Sequence, residues 1–373
     1  MSPESKARQE ERSGRGRTLE TEPNGPGEYA EESAKAGPQG APDGTATTPD
    51  EGVEGTRELV PGTAGKTAGP RHLLSIAELD RDHIISLLDS ARSFAEVSTR
   101  SIKKVPALRG RTIVNMFIEP STRTRMSFEL AAKRLSADVI NFSPATSSLS
   151  KGESLKDTAK TIVAMGVDAV VIRHGSAGVP NMMTGWVDCS VVNAGDGMHE
   201  HPTQALLDLY TMRERLGRLE GLKVAIVGDI DHSRVARSNI HALNKVGASV
   251  MVVAPLSLLP VEVEKMGVRV TGSIDEALEW CEVLYLLRIQ MERVNESRFP
   301  SLREYSLLYG LTEARWSRLK RKPLVMHPGP MNRGVEIASG VADEVESVIT
   351  GQVAAGVAAR MAVLYDVLGG PSE

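Results

Sequence analysis

The chain has 373 residues, 41% hydrophobic and 25% charged, with 44 Lys and Arg against 48 Asp and Glu for a formal charge of −4. This is an ordinary globular composition with room for two sizeable cores, and it argues against a fibre. The two cysteines, Cys189 and Cys281, exclude a disulfide framework; neither has the spacing of a metal site, so reduced thiols in a cytoplasm are expected.

From Met1 to Pro70 the chain holds 12 Gly and 8 Pro, and Tyr29 is its only aromatic residue. Such a segment lacks the apolar residues to bury a core, and without an apolar stretch or a basic, acid-poor composition it is no targeting peptide. It is predicted to be a disordered extension, residues 1–70. It carries 8 basic and 13 acidic residues, which leaves 36 against 35 for the remainder, so no broad nucleic-acid surface is expected. Apolar runs such as Ala169–Ile172 and Val250–Ala254 have strand length and fall far short of a bilayer span.

Order is predicted to begin near Arg71, with Ser75 and Glu78 as a capping box for a helix whose apolar face includes Leu79, Ile84, Leu87, Leu88, Ala91 and Phe94. A buried-strand run, Thr112–Ile118, then leads into Glu119-Pro-Ser-Thr-Arg-Thr-Arg-Met-Ser-Phe-Glu129. Phe128, Ala131, Ala132 and Leu135 recur at helical spacing, which places Ser121 at the helix N-cap. There the first backbone N–H groups lack intrahelical acceptors and the macrodipole favours an anion. Ser121, Thr122 and Thr124 add hydroxyls, Arg123 and Arg125 add charge, and together they read as a phosphate cradle. A strand at Val139–Phe142 follows, then a polar loop, Ser147 to Thr158, in which Ser154 and Asp157 open the next helix. Lys151 ahead of it is either a solvated loop lysine or a ligand cation.

Two later strands end in chemistry. Asp168–His174 puts Arg173 at its C-terminal end, where open α/β sheets place ligands. Val191–Gly195 leads to His201-Pro-Thr-Gln204, in which a Pro-opened helix lets the imidazole and the amide converge. His199, Glu200 and His201 lack a further ligand at metal-site spacing, so no metal is expected.

A second strand–helix series begins near Gly221. The turn Gly228-Asp-Ile-Asp-His-Ser-Arg234 has no dinucleotide glycines, so no nicotinamide cofactor is expected; Arg234 either binds an anion or pairs with Asp229 or Asp231. Strands Ser249–Ala254, Val268–Thr271, Val283–Leu287 and Pro323–Met326 follow. The last two run into Arg288-Ile-Gln290 and His327-Pro-Gly-Pro330, and an Ala-rich helix over 345–368 closes the chain. Alternating strands and helices predict an α/β protein of two parallel sheets.

From Arg71 to Leu368 these residues resemble the catalytic chain of the aspartate carbamoyltransferase family. The resemblance rests on PSTRTRxSFE from Pro120, SSxxKGES from Ser147, HPTQxLxD from His201, GDxxHSRVARS from Gly228, RxQxER from Arg288 and HPGPMNRGVEI from His327. The related ornithine enzymes carry loops that this chain lacks.

The resemblance implies carbamoyl transfer from carbamoyl phosphate to the α-amine of L-aspartate, in pyrimidine synthesis and without a cofactor. It implies that Ser121, Thr122, Arg123 and Thr124 hold the phosphate while Thr124, Arg173 and His201 meet the carbonyl oxygen. Gln204 and the backbone of Pro328, Gly329 and Pro330 would take the carbamoyl amino group. Arg234, Arg288 and Gln290 would take the aspartate, and Lys151 with Ser148 would come from the neighbouring chain. A shared site implies a homotrimer of chains with a carbamoyl phosphate domain, 71–214 completed by the helix 345–368, and an aspartate domain, 217–343. Domain closure would bring Arg234 and Arg288 to the cradle. A transcarbamoylase of another amine and a non-catalytic assembly partner are the alternative readings. Pairing of trimers through regulatory chains or with a dihydroorotase is open at this level. Because Met1–Pro70 cannot pack on a core, deleting it should leave turnover and assembly nearly unchanged. Steady-state kinetics and sedimentation of the shortened chain test this, and loss of either would show that the segment contributes to the fold.

Overall fold

A computed structural model describes residues 71–144, 147–289 and 301–369, which belong to one compact unit. The expectations placed on Met1–Pro70 and on Gln290 lie outside them. Nine strands form two parallel sheets among these residues. In the first, β1 (Thr112–Phe117), β2 (Asp138–Phe142), β3 (Ala169–His174) and β4 (Ser190–Asp196) lie in the order β2-β1-β3-β4. In the second, β5 (Lys223–Val227), β6 (Ser249–Val253), β7 (Arg269–Thr271), β8 (Val283–Leu286) and β9 (Leu324–Met326) lie in the order β7-β6-β5-β8-β9.

The helices that cover them are α1 (Arg81–Val97), α2 (Thr122–Arg134), α3 (Leu155–Val163), α4 (Val179–Thr184) and α5 (Pro202–Leu216), then α6 (Arg234–Lys245), α7 (Ile274–Trp280), α8 (Leu302–Tyr309), α9 (Glu313–Arg318) and α10 (Ser339–Leu368). Parallel strands joined by helices are covered on both faces, which is why their sequences are near-continuous apolar runs. Successive side chains alternate between the two layers. Ile113, Val171 and Val192 pack with α1, α2 and α5, whereas Val114, Met116, Val170 and Ile172 pack with α3 and α4. In the second sheet Val224, Ile226 and Val252 meet α6, while Ala225, Val227, Leu284 and Leu286 meet α7 and α9.

Two local expectations are corrected. The first helix starts at Arg81, capped by Asp80, whose carboxylate accepts from the His83 N–H at 2.7 Å. Ser75 is not its cap; its hydroxyl donates to Glu200 at 2.5 Å, and the other Glu200 oxygen accepts from the Ile76 N–H at 2.9 Å. A tertiary carboxylate has taken the serine that a purely local pattern assigns to the helix. The terminal helix starts at Ser339, ahead of the expected 345. Val341, Ala342 and Val345 pack with the second sheet, and Met361, Ala362 and Leu364 pack on the first.

By length and composition its stretch Val348–Leu368 is also apolar enough to cross a bilayer. Within the protein 56% of that window is buried: the run is apolar because the helix is central to the core. The expectation that every apolar run has strand length was therefore too short for this helix.

Candidate active site

The sheets deliver their reactive residues at the C-terminal ends of the strands, around a cavity of about 900 Å³. The cradle residues Ser121, Thr122, Arg123 and Thr124 form one wall. Ser121 is the N-cap of α2, yet its side chain makes no capping bond; it donates to the Thr124 hydroxyl at 3.0 Å. The first-turn amides thus keep no side-chain acceptor, and the positive end of the helix dipole meets the cavity. Ser233, capping α6, behaves in the ordinary way and accepts from the Ala236 N–H at 3.1 Å. Arg125, one residue beyond Thr124, is exposed and is not among the lining residues. The helical turn sends it away, so of the two cradle arginines only Arg123 lines the cavity.

Arg173 and Arg234 meet over a single carboxylate. Glu119 Oε1 accepts from Arg173 Nη2 at 2.9 Å and from Arg234 Nη2 at 2.7 Å, while Oε2 accepts from Arg234 Nη1 at 2.8 Å. Arg173 also donates to the Ala194 carbonyl at 3.2 Å, and Arg234 donates to the Gly197 carbonyl at 3.2 Å. Of the partners considered for Arg234, neither Asp229 nor Asp231 is the one found; Asp229 is engaged with His232 at 3.0 Å. The two guanidiniums lie so close to the backbone that a Cβ at Gly195 would stand 3.0 Å from Arg173 Nη1 and 3.1 Å from Arg234 Nε. Gly195, at φ +114°, is therefore required twice over, by its conformation and by its neighbours.

His201 is 4% exposed, and its backbone N–H is fixed by the Ser238 hydroxyl at 2.8 Å. Burial pushes its imidazole well below the usual histidine range, and the charges of Arg173, Arg360 and Arg234 push in the same direction. The ring is a neutral donor or acceptor at any working pH. One turn on, the Gln204 amide nitrogen donates to Asp208 Oδ1 at 3.1 Å. Asp208 is fully buried, and burial raises its carboxyl to about 6.

The second sheet supplies the opposite wall, with Arg234, Arg288 and Pro328–Pro330. His327 Nδ1 accepts from the Gly329 N–H at 2.8 Å, which places the ring proton on Nε2, 3.2 Å from Glu336 Oε1. That carboxylate also takes the Asn332 N–H at 2.5 Å. The loop is thereby pinned from inside, with Gly329 at φ +62° and a cis bond to Pro330. A Cβ on Gly329 would overlap the Arg123 guanidinium, so the loop backbone and the cradle arginine are in direct contact. Burial lowers the Arg123 pKa, and the nearby charge of Arg288 lowers it further.

The cavity brings together Ser121–Thr124, Arg173, His201, Gln204, Arg234, Arg288 and Pro328–Pro330. Arg234 and Arg288 already line it beside the cradle. Lys151 does not: it is exposed at the end of a 3₁₀ turn, Ser148–Lys151. Glu119, Ser127, Gln352 and Arg360 line the cavity without having been singled out. Arg360 reaches in from α10, donates to the Ser127 hydroxyl at 2.8 Å and lies 5.1 Å from the Phe128 ring centre. Glu119 and Ser127 carried a signal, their places within the cradle motif, whereas Gln352 and Arg360 on the terminal helix carried none. Among the described residues no group of three His, Cys, Asp or Glu side chains is arranged to hold a metal ion. An open depression along α1, about 470 Å³, is lined by Ile85 with aspartates and serines and by no basic side chain.

Comparison with known proteins agrees with this geometry. The family description "Aspartate/ornithine carbamoyltransferase, carbamoyl-P binding domain" matches residues 71–214, and "Aspartate/ornithine carbamoyltransferase, Asp/Orn binding domain" matches residues 220–367. The chain belongs to the aspartate/ornithine carbamoyltransferase family. An aspartate carbamoyltransferase catalytic subunit of Thermobifida fusca is 60% identical over 300 residues, 80% of this chain and 96% of that protein. The aspartate transcarbamoylase of Trypanosoma cruzi, solved with carbamoyl phosphate and aspartate, superposes with a TM-score of 0.73 at 31% identity, covering 80% of this chain and 97% of that one. The same enzyme with N-(phosphonacetyl)-L-aspartic acid gives 0.74 at 31% identity over 80% and 96%.

The depressed pKa of His201 predicts that its ring stays neutral from about pH 8 down through about 6.5, the ordinary histidine value. The unfolded chain takes up that proton below about 6.5 and the folded chain does not, so this group's contribution to stability is intact above that pH and is lost as pH falls. An NMR titration assigned with His201→Gln checks this; a His201 midpoint near 6.5 would contradict a buried neutral ring.

Proposed function

We propose that this chain is an aspartate carbamoyltransferase catalytic subunit. It moves the carbamoyl group of carbamoyl phosphate to the α-amine of L-aspartate, giving N-carbamoyl-L-aspartate and phosphate, a step of pyrimidine synthesis in the cytoplasm. The observation that carries this reading is one cavity holding an uncapped, hydroxyl-rich helix start and the guanidiniums of Arg123, Arg173, Arg234 and Arg288. Such a site suits a phosphate dianion and a dicarboxylate together.

The phosphate lies on the amides and hydroxyls of Ser121, Thr122 and Thr124 with Arg123. Arg173, His201 and Thr124 face the carbonyl oxygen. Gln204, with its nitrogen committed to Asp208, offers its oxygen to the carbamoyl NH₂, and backbone carbonyls of the Pro328–Pro330 loop supply further acceptors. Arg234 and Arg288 receive the two carboxylates, with Gln290 beside them. The free amine attacks the carbonyl carbon, a C–N bond forms, and negative charge gathers on the carbonyl oxygen, where preorganised donors stabilise it. The bond from that carbon to the phosphate oxygen then breaks, and phosphate leaves with the electron pair and takes up the proton that the nitrogen gives up. No side chain need act as nucleophile.

The active unit in this reading is a homotrimer in which Lys151 and Ser148 serve the neighbouring chain's site. The exposure of Lys151, and a cavity lined by arginines but by none of the described lysines, support that arrangement. The lobe of the first sheet, 71–214 completed by the terminal helix, holds carbamoyl phosphate, and the lobe of 217–343 holds aspartate; the two sheets support this division.

Carbamoyl phosphate consumption should be rapid with aspartate and absent with ornithine. The reverse preference, or none, would overturn the assignment. Arg123→Ala and Lys151→Ala should each lose about a hundredfold in rate, since each removes a charge-assisted contact in the transition state. Mixed trimers of the two variants contain sites with both wild-type residues and should regain activity. Mixed trimers verified by mass that stay as inactive as their parents would place both residues in one chain's site.

A further inference from the structure

Asp208 lies behind the cavity wall with no part in the reaction as derived above. It is fully buried, and four side chains from four elements donate to it. Gln204 on α5 and Gln352 on α10 donate to Oδ1 at 3.1 and 2.9 Å; Asn239 on α6 and Tyr285 on β8 donate to Oδ2 at 2.9 and 2.7 Å. An ionised carboxylate has only acceptor sites, so every neighbour must turn a donor toward it. For a glutamine this decides which end of the amide faces the other way. Gln352 presents its oxygen to the His327 N–H at 3.1 Å, at the root of the Pro328–Pro330 loop. Gln204 lines the cavity, and with its nitrogen committed to Asp208 its oxygen is the amide atom left for a ligand.

We propose that Asp208 is a positioning residue that sets the enzyme's preference for an NH₂-bearing acyl phosphate over an isosteric one with a methyl group. It does so by holding the Gln204 nitrogen away from the ligand and, through Gln352, by holding the root of the loop that supplies the remaining acceptors. The proposal rests on the reading of the cavity as a carbamoyl phosphate site. A carbamoyl NH₂ meets an acceptor oxygen there, whereas an acetyl methyl group leaves that oxygen desolvated and unpaired. Without Asp208 the Gln204 amide is free to turn and to oppose its own NH₂ to that of the ligand.

The effect of substitution depends on acceptors rather than on charge. In Asp208→Asn the new amide keeps its oxygen toward Gln204 and Gln352 and turns its nitrogen toward Tyr285, whose hydroxyl can accept, and Asn239, whose own Oδ1 is buried without a partner. Asp208→Leu sets two methyls where the oxygens stood and holds neither glutamine.

The test compares kcat/KM for carbamoyl phosphate with the inhibition constant of acetyl phosphate in the same aspartate assay. Wild-type turnover in that assay tests the underlying reading separately. In folded Asp208→Leu the preference should fall about a hundredfold, with acetyl phosphate bound as before, and in Asp208→Asn it should persist. A structural defect alone would weaken both ligands together, leaving the ratio unchanged, and that result overturns the proposal. So does a collapse in Asp208→Asn as deep as in Asp208→Leu, because the role would then belong to the charge. If Asp208→Leu does not fold, Gln204→Met should show the same loss of preference; an unchanged ratio there removes the route through which Asp208 acts.

Discussion

Among the described residues five guanidiniums, those of Arg123, Arg173, Arg234, Arg288 and Arg360, line one cavity, and one carboxylate, that of Glu119, faces them there. Two such charges about 8 Å apart at an effective dielectric of about 20 repel by about 2 kcal/mol, so the cluster must be held by the fold around it. Glu119 binds Arg173 and Arg234 together through both of its oxygens, and backbone carbonyls of Ala194 and Gly197 take up further N–H groups. Burial lowers Arg360 to about 10, and it leans on the Phe128 ring and the Ser127 hydroxyl. The positive charge of this cluster is what a phosphate dianion and a dicarboxylate meet in the proposed reaction. Two anions bound there would offset the repulsion among these cations.

Holding that cluster explains much of the architecture. Glu119 follows β1, Arg173 ends β3, and His201, Arg234, Arg288 and His327 follow β4, β5, β8 and β9. Two parallel sheets thus aim six strand ends at one volume. Side chains at strand ends need something behind them to fix their direction, and buried carboxylates supply it. Glu200 ties Ser75, Ile76 and Ser238 together beside His201, Asp208 orders the amides, and Glu336 pins the His327 loop. A buried carboxylate is costly unless its oxygens are satisfied; Glu200 and Asp208 use both of theirs and are rigid points, whereas Glu336 holds its partners through Oε1 alone.

The cradle, the strands and the arginines were legible because their signals are local. Apolar runs of strand length, a helical spacing after Ser121 and a proline after His201 each fix a conformation within a few residues. Glu119, Asp208 and Arg360 were not legible as site groups, because their partners lie far along the chain: Arg234 is 115 residues from Glu119 and Tyr285 is 77 from Asp208. Locally Asp208 is a polar residue on a helix and Arg360 a charge on an Ala-rich one. The Ser75 error has the same origin. Ser75 with Glu78 and Asp80 alone are both valid helix starts by pattern, and the choice was made by Glu200, which claimed Ser75 from 125 residues away.

His201 shows how the charge cluster limits the chemistry available. A histidine at the carbonyl oxygen is ordinarily a candidate general acid, since its unperturbed pKa lies near neutrality. Among Arg173, Arg234 and Arg360 a further cation is unfavourable, and burial adds to that penalty. The ring has no proton to spare at working pH, so it can act only through a hydrogen bond. In the proposed reaction the charge developing on the carbonyl oxygen is then met by Arg173 and the hydroxyl of Thr124 with it, and no proton is delivered there. In the proposed reaction the arginine cluster therefore favours electrostatic stabilisation over acid catalysis, and Glu119, by fixing where Arg173 and Arg234 point, sets where that stabilisation falls.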